Sequence, residues 1–399
     1  MTLRSAIGDR IPLIADYLPS SVKTRFLGPL WTWNTSDTHS CIAPDLTKEK
    51  RLFIGIANFA GQGLAWAEAI REDGRFDARN AQPSAPNTHL VFPSDLTIQK
   101  NAWRRSHKWA RRQFEMLTTQ YTHVLIEAGR PILGADSGAN LSTQATKLEE
   151  AGVKVAFLWH GSDIRSPKVH TQWVKDSPFF DSLDGLTERL EAQAARNSKM
   201  ADELGLPEFV STPHLLTYRP NATWLPILVN YDIWQRFDVP TIRDTNLPKV
   251  VHVPSKSSMK GTVFIRPVLQ ALHDEGKIEY VEISGIPPEK MPEVIRSADI
   301  VVELLGMNSY GTAALEAMSQ GVPVVGQVGE IVRGRVIERT GQDVPIADTT
   351  SDTLREVVLD LAGNPDKRRE LANAGFRFLD QVHSPDNAAN ILIENFLSK

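Results

Sequence analysis

Short apolar runs alternate with amphipathic helical stretches from about residue 50 to the end of the chain. Such alternation is typical of a parallel sheet with helices on both faces, because each strand is buried on two sides and each helix on one. The runs form two series, which begin near Arg51 and Lys249. A chain of 399 residues is long enough for two separate cores. The pattern therefore predicts an α/β protein with two Rossmann-like, doubly wound parallel-sheet lobes.

A polar, proline-containing stretch lies between Pro226 and Pro248, and we place the linker between the lobes there. The predicted segments are an N-terminal extension, a first lobe, a second lobe and a C-terminal helix, over 1–45, 46–235, 249–385 and 386–399. The extension mixes apolar and basic side chains with several prolines, which favours packing on the first lobe. An interfacial membrane anchor is the alternative. Further along the chain, Asp352 is predicted to cap a helix.

Charge and cysteine content narrow the classes of partner and compartment. The formal net charge is −4, so the chain lacks the overall basic field that concentrates nucleic acid, and no nucleic-acid partner is expected. A single cysteine, Cys41, excludes an internal disulfide framework and a cysteine zinc cage. With no long apolar run and no secretion pattern, the expected location is the cytoplasm, with peripheral contact to the inner membrane face if the extension is an anchor. The oligomeric state stays open.

Two loops are candidates for binding phosphate. The first runs from Asn58 to Gly63 between a strand and a helix, and its Gly61 and Gly63 would let the backbone approach an anion. The second follows the strand that begins at Lys249 and carries Lys256, Lys260 and Gly261 before a helix. Each loop also has an interpretation without ligand binding. The first could be a tight turn, and the second a loop whose lysines are solvated.

The stretch 297–325 carries the strongest pattern in the chain. A strand leads into a polar turn, a helix begins at about Gly311, and Glu316 falls on its second turn before Gly321 and Pro323 end it. A carboxylate near a helix start and the carboxyl edge of a sheet can accept hydrogen bonds from two ribose hydroxyls. The stretch therefore predicts a nucleotide site in the second lobe.

This stretch resembles the donor-site motif of the retaining GT-B transferases of glycosyltransferase family four. Tyr310 and Gly311 are similar to the family's aromatic-glycine turn, Ser309 stands in place of its first glycine, and Glu316 matches the second of its paired acids. Lys260-Gly261 looks like the family's phosphate-binding pair, and the resemblance covers about 50–385. It implies donor-binding roles for Gly61, Gly63, Lys256, Lys260, Gly261, Ser309, Tyr310, Gly311, Thr312 and Glu316.

The resemblance also extends to the strand end of the first lobe. His160 and Asp163 look like the family's His-Gly-x-Asp sequence, and this implies that His160 contacts the donor sugar across an inter-lobe cleft. From the residues alone, a histidine such as His160 at a strand end is more often a capping or packing residue, and Asp163 could cap a loop. Arg165 is a further candidate for contact with phosphate or acceptor.

One position departs from the family pattern. The family's first acidic residue lies eight positions before the second, and here that position is Asn308. An amide can hydrogen-bond a sugar hydroxyl but carries no charge, and Glu303 is the nearest carboxylate that could substitute. Either catalysis is arranged differently or the transferred sugar is different.

The resemblance implies retaining transfer of a sugar from a nucleotide-sugar donor to a glycan, lipid or small-molecule acceptor, in glycan or cell-envelope biosynthesis. His160, Asn308 and Lys260 are the implied catalytic residues. The sequence contains no compact Asp-x-Asp or metal-ligand spacing, so no metal is expected, and the nucleotide-sugar is a substrate rather than a cofactor. Two alternatives stay open: another GT-B enzyme, such as an epimerase or a phosphorylase, and a non-catalytic nucleotide-sugar-binding subunit.

Overall fold

The computed structural model describes residues 15–28, 31–84, 92–134, 140–180, 185–235, 237, 239–240, 242–254 and 258–399. Contacts divide the chain into two compact units. The first contains the chain up to His160, together with Asn197–Phe209 and Ala389–Lys399, and the second contains Gly161–Arg196 and Val210–Ala388. The predicted segment boundaries remain a prediction. Of the predicted N-terminal extension, 1–14 and 29–30 lie outside the described residues.

A seven-stranded sheet has the order β3-β2-β1-β4-β5-β6-β7. Its strands span Lys50–Gly55, Phe76–Pro83, Leu96–Ile98, His123–Glu127, Lys154–Trp159, Glu208–Val210 and Thr223–Trp224. The pairings of β1 with β2 and β4, and of β4 with β5, are parallel. The run Leu52–Gly55 is buried throughout, as expected for a strand covered on both faces.

The second sheet has five strands in the order β12-β11-β10-β8-β9. Its strands β8 to β12 span Lys249–His252, Glu279–Glu282, Ile300–Val302, Val324–Gly326 and Ile346–Asp348. Every pairing in it is parallel. Val250, Ile300 and Val325 lie in a buried core with Leu269 of the helix that follows β8 and Val358 of a later helix. Each sheet thus places the carboxyl ends of its strands along one edge, where functional loops gather.

The described α-helices, α1 to α14, cover the sheets. They span Ser20–Leu27, Gln62–Glu72, Lys100–Arg105, His107–Gln120, Leu141–Glu150, Pro167–Trp173, Leu186–Leu204, Thr262–Asp274, Met291–Arg296, Thr312–Ser319, Glu330–Thr340, Leu354–Gly363, Pro365–Gln381 and Pro385–Leu392. Short 3₁₀ turns lie at Ser36–His39, Phe59–Gly61, Pro178–Phe180, Pro213–Thr217 and Pro288–Lys290, and a π-helical segment at Ile393–Leu397. In the first unit, Phe396 of that segment packs edge-on against His123, with ring centroids 4.9 Å apart. Among the described residues, no helix is both long and apolar enough to cross a membrane.

The predicted cap at Asp352 is wrong. The N-cap of α12 is Thr353, and Asp352 instead forms an exposed ion pair with Lys175. Thr353 uses its hydroxyl to accept a hydrogen bond from the backbone N–H of Thr350 at 3.0 Å, which shapes the turn before the helix. An Asp at a helix start caps the helix only if its side chain accepts from the first backbone N–H groups. Here the carboxylate instead pairs with Lys175, which is remote in sequence.

Candidate active site

The glycine loop of the first unit joins β1 to α2, as predicted. Gly61 is the left-handed N-cap of α2, with φ 76°. Gly63 has a different reason to be glycine, because a Cβ there would lie 2.3 Å from Nδ2 of Asn80. That amide nitrogen donates to the carbonyls of Ile54 and Ala57 at 3.1 and 3.2 Å, and so holds the end of β1. Conformation and packing account for both glycines, and their contact with a ligand remains a prediction.

His160 stands at the end of β5, where its ring is fixed on three sides. Its Nε2 lies 3.2 Å from Oε1 of Glu127, the last residue of the neighbouring strand β4. Its ring stacks on Trp66 with centroids 5.9 Å apart and meets Phe59 edge-on at 5.0 Å. Glu127 is fully buried and also accepts from the backbone N–H of Ala57 at 3.1 Å. Glu127 therefore orients His160, a role that the sequence reasoning missed.

Lys260 and Gly261 in the second unit lie directly before α8, as the sequence predicts. Gly261 has φ 68°, and a Cβ there would lie 2.6 Å from the carbonyl oxygen of Leu305. Leu305 in turn donates its backbone N–H to the carbonyl of Lys260 at 3.2 Å. This close approach of two loops requires a glycine with left-handed backbone. It brings the loop after β10 against the N-terminus of α8.

A buried histidine also stabilises this contact between the loop after β10 and the N-terminus of α8. His252, the last residue of β8, has Nδ1 2.9 Å from the carbonyl of Val302 and Nε2 2.9 Å from Oγ1 of Thr262. Because a carbonyl only accepts, Nδ1 carries the proton and Nε2 accepts from the threonine hydroxyl. Burial lowers the pKa of His252, which keeps the ring neutral. The histidine thus ties the first residue of α8 to two strands.

Lys260 forms an ion pair with Glu303, the carboxylate that the sequence offered as a substitute acid. Their Nζ and Oε1 atoms are 2.6 Å apart, and the side chain of Glu303 is 2% exposed. A Cβ on Gly311, the N-cap of α10, would lie 3.5 Å from the same Oε1. The pair therefore sits beside the start of α10, with α8 beginning two residues after Lys260.

Glu316 lies on the second turn of α10 and is partly buried. Burial raises the pKa of its carboxyl to about 7, the nearby Lys260 opposes this, and Glu303 adds to it. A hydrogen bond from the Trp234 side chain favours the ionised form. Lys260, Glu303 and Glu316 consequently form one electrostatic cluster, with a lysine shared between two carboxylates.

Asn308 adopts a left-handed conformation, with φ 44°, in the turn before α10. Asparagine tolerates this region better than most residues. Its amide packs on Gly329, where a Cβ would lie 3.0 Å from Nδ2. Within the described chain, the buried Oδ1 of Asn308 has no hydrogen-bond partner. A polar oxygen in this state can accept a hydrogen bond from a ligand hydroxyl.

Tyr310 points into the core rather than into open space. It is 1% exposed, and its hydroxyl lies 3.2 Å from Nε2 of His383. Nδ1 of His383 lies 2.7 Å from the carbonyl of Ile227, so Nδ1 carries the proton and Nε2 accepts from the tyrosine. Burial lowers the pKa of His383 to about 4, in keeping with a neutral ring. Any donor contact at Tyr310 would therefore be made by its backbone.

The loop after β5 contains Asp163 and Arg165, which the sequence left as further candidates. Asp163 is buried, and its Oδ1 accepts from the backbone N–H of Gly161 at 2.6 Å, as a loop cap does. Arg165 is 7% exposed and contacts His214, a residue that the sequence reasoning did not consider. His214 in turn contacts Ser309 in the turn before α10. No local sequence signal joins residues this far apart in the chain.

The remaining predicted residues are placed as follows. Thr312 is the first residue of α10 and is partly buried. Lys256 lies outside the described residues. In the second unit, the structure brings together Lys260, Glu303, Gly311 and Glu316. Across the part of the chain that the structure describes, no three His, Cys, Asp or Glu side chains are grouped so that they could hold a metal ion.

One segment of the second unit matches a protein-family model. Residues 269–378 match the family model for group 1 glycosyl transferases. The matched segment contains Glu303, Asn308 and Glu316, and it begins after Lys260. No curated protein matches the chain by sequence.

Solved structures resemble nearly the whole chain at low identity. Sucrose-phosphate synthase from Thermosynechococcus elongatus is 12% identical, with a TM-score of 0.53, over 87% of this chain and 98% of that one. HepE from Anabaena in complex with UDP is 14% identical, with a TM-score of 0.52, over 88% and 100%. The catalytic domain of starch synthase IV from Arabidopsis thaliana, bound to ADP and acarbose, is 9% identical, with a TM-score of 0.54, over 88% and 100%. With the two parallel sheets, these likenesses confirm the predicted GT-B fold.

Proposed function

We propose that this protein is a retaining glycosyltransferase that moves a sugar from a nucleoside diphosphate sugar to a glycan, lipid or small-molecule acceptor. One observation carries the proposal. Lys260, Glu303 and Glu316 are grouped in the second unit beside the start of α10, and Lys260 also lies at the start of α8. The group 1 glycosyltransferase match and the UDP and ADP complexes of the structural neighbours support it.

The cluster can stabilise a departing diphosphate. The ammonium of Lys260 offers three N–H donors, and the first N–H groups of α8 and α10 have no partner within their helices. Positive charge and helix dipoles aimed at one place stabilise the negative charge that develops on the leaving group. We propose that these groups act without a metal ion.

In the proposed reaction, the acceptor oxygen bonds to the anomeric carbon on the face from which the diphosphate departs. The bond between that carbon and the phosphate oxygen breaks, and the acceptor proton passes to the departing phosphate. The products are the glycosylated acceptor and a nucleoside diphosphate. His160, oriented by Glu127, is assigned to the transferred sugar, and ionised Glu316 is assigned to the ribose hydroxyls.

Asn308 belongs to this proposal as an adapted residue rather than a sign of lost activity. Its Oδ1, which has no partner among the described residues, can accept a hydrogen bond from a sugar hydroxyl. We assign to Glu303, which forms an ion pair with Lys260, the role of the acidic residue that glycosyltransferase family four has at this position. The proposed location is the cytoplasm, with peripheral contact at the inner face of the membrane if the N-terminal extension is an anchor.

The test is acceptor-dependent release of nucleotide. The purified protein is incubated with UDP-, GDP- and ADP-sugars, with and without a panel of acceptors, and products are identified by mass spectrometry. NMR of the new anomeric proton then reports its configuration. Transfer with retained configuration is expected, and Lys260→Ala should abolish most of it while the exposed Lys277→Ala leaves it intact. Inverted product, turnover without acceptor, or tight binding without turnover would each contradict the proposal.

A further inference from the structure

Arg165 is a buried cation without an ion-pair partner among the described residues. It is 7% exposed, and within the described residues no carboxylate lies at ion-pair distance from its guanidinium. Asp163 is near enough to act electrostatically, but its Oδ1 accepts from the backbone of Gly161. Burial lowers the pKa of Arg165, although a guanidinium remains protonated in proteins. A charge in this state costs folding free energy unless something else compensates it.

Arg368 shows what a structural buried arginine looks like in the same unit. Its Nη1 donates to the carbonyls of Leu361 and Ala362 at 2.6 and 2.8 Å, at the end of α12. Its Nη2 donates to the carbonyl of Arg243 at 2.8 Å. Among the described residues, Arg165 has no such set of carbonyls. Its Nε, at 3.2 Å, and its Nη2, at 2.8 Å, both donate to one nitrogen, Nε2 of His214.

These contacts fix the direction of a chain of hydrogen bonds. Because arginine only donates, Nε2 of His214 is the acceptor and the ring proton of the neutral histidine is on Nδ1. Burial, then the charge of Arg165, lowers the pKa of His214 well below its usual value, which keeps the ring neutral. Nδ1 therefore donates to Oγ of Ser309, 2.7 Å away. The hydroxyl of Ser309 is then a donor, and its contact with the carbonyl oxygen of Tyr310 is long, at 3.3 Å.

The chain of hydrogen bonds ends at Ser309, in the turn that precedes α10. Ser309 precedes the N-cap Gly311 by two residues, and its backbone N–H donates to the carbonyl of Gln327 at 3.0 Å. The side chain of Gln327 accepts from the backbone N–H of Gly306 at 2.6 Å, so both ends of the turn are held. A second cation, Arg335, also acts electrostatically on His214. Positive charge and the start of a helix therefore coincide at this turn.

We propose that Arg165, acting through His214 and Ser309, is a positioning residue that makes the turn before α10 selective for the diphosphate of the donor. An anionic ligand would add to the electrostatic compensation that Asp163 gives Arg165. Three donors in series polarise one another, so the charge of Arg165 strengthens the last donor, Ser309. This inference rests on the proposed function, because it assigns the diphosphate to the same site.

The experiment measures ligand affinity instead of turnover. Calorimetry compares each nucleoside with its diphosphate, as uridine and UDP, guanosine and GDP, and adenosine and ADP, for the full-length wild type and for Arg165→Gln. Glutamine removes the charge and retains an amide donor. We expect the affinity for the diphosphate to fall about tenfold, as for a charge-assisted hydrogen bond, and the affinity for the nucleoside to stay within about twofold. The melting temperature should not fall, because the lost charge has no ion-pair partner in the part of the chain that the structure describes.

The matched control is Arg368→Gln. It removes a second buried guanidinium from the same unit and should lower the melting temperature without changing the ratio of diphosphate to nucleoside affinity. Ser309→Ala removes the other end of the hydrogen-bond chain. It is the test variant if Arg165→Gln fails to fold. It should lower diphosphate affinity to a similar extent. Combining Arg165→Gln with Ser309→Ala should add little further loss, since both remove the same coupling.

Wild-type diphosphate affinity in folded Arg165→Gln or Ser309→Ala would overturn the inference. Equal losses for nucleoside and diphosphate would do so too, because they would indicate a general distortion of the site. A wild type that binds UDP, GDP or ADP no better than the matching nucleoside would also overturn it. A wild type that binds a diphosphate but transfers no sugar would end the proposed function alone, and the affinity ratios would still decide the inference.

Discussion

Lys260 is the residue on which the donor site depends most directly. One of its N–H donors is directed at Glu303, 2.6 Å away, and the ammonium group has two more that can meet phosphate oxygens. Lys260→Ala should therefore weaken donor binding by about 1.5–3 kcal/mol, the value of a hydrogen bond to a charged group. Calorimetric titration with the best donor checks this, and Lys277→Ala is the surface control. A folded variant with unchanged donor affinity would remove Lys260 from the site.

Glu316 should give the free protein a characteristic dependence of stability on pH. Burial raises the pKa of Glu316 to about 7 from a usual value of 4.5, so the folded state binds its proton more tightly than the unfolded state does. This contribution to stability is present below about pH 4.5 and is lost as the pH rises through about 7. Glu316→Gln cannot titrate and should lack the effect.

Urea unfolding at pH 5 and pH 8 measures this difference. The free energy of unfolding of the wild type should fall more between the two pH values than that of Glu316→Gln. Groups other than Glu316 contribute to both proteins and cancel in the comparison. Identical pH dependence in the two proteins would show that the carboxyl of Glu316 is not perturbed.

At the scale of elements, the start of α8 depends on the close approach of two loops. Gly261→Ala forces a Cβ into a left-handed position and to 2.6 Å from the carbonyl of Leu305. The variant should lose about 1–3 kcal/mol of stability through backbone strain, and more if the loop must move. Donor affinity should fall as well, because Lys260 is displaced with the loop.

Gly334→Ala provides the control for that change. Gly334 lies inside α11, and nothing lies within 4 Å of the position that a Cβ would occupy. Alanine there should stabilise the helix by about 0.4–1 kcal/mol. Thermal unfolding of both variants distinguishes strain at Gly261 from a general effect of replacing glycine. Equal effects of the two substitutions would contradict this account.

The adjacent ends of β4 and β5 place Glu127 against His160, and this arrangement predicts a separation of roles. His160→Ala should lower turnover at least about tenfold, the effect of losing about 1.4 kcal/mol from the transition state, and leave nucleoside diphosphate affinity nearly unchanged. Steady-state kinetics and calorimetry provide the two measurements. Thermal unfolding must accompany them, because Glu127 loses a buried partner. Parallel losses of turnover and nucleotide affinity would place His160 at the nucleotide instead.

At the scale of the whole molecule, ligand binding should appear as increased stability. A ligand that binds only the folded state at 100 times its Kd raises the free energy of unfolding by about 2.7 kcal/mol. A thermal-shift screen with UDP-, GDP- and ADP-sugars should therefore identify the donor by the largest rise in melting temperature. Lys260→Ala should reduce that rise. If none of the nucleotide sugars shifts the transition, nucleotide-sugar binding is contradicted.

The sequence by itself determined the architecture, because strand and helix periodicities are local properties of the chain. The alternation of apolar runs predicted the parallel sheets, and the glycine loop before α2 and the turn before α10 lie where expected. The eight-residue strand β2 and the shorter strands β3, β7 and β12 were missed. The segment β2, Phe76–Pro83, contains Asp77, Arg79 and Asn80 and so lacks an apolar run.

Only the tertiary structure decided which side chains meet. Lys260 and Glu303 are 43 positions apart, and Arg165 and His214 are 49 apart, so no period or spacing pairs them. Parallel strands bring distant residues to one edge of a sheet, and the return helices set how far apart in sequence those residues are. Sequence could therefore nominate Lys260, Glu303 and Arg165 as candidates. Their partners, charges and burial depend on packing between segments that are remote in the chain.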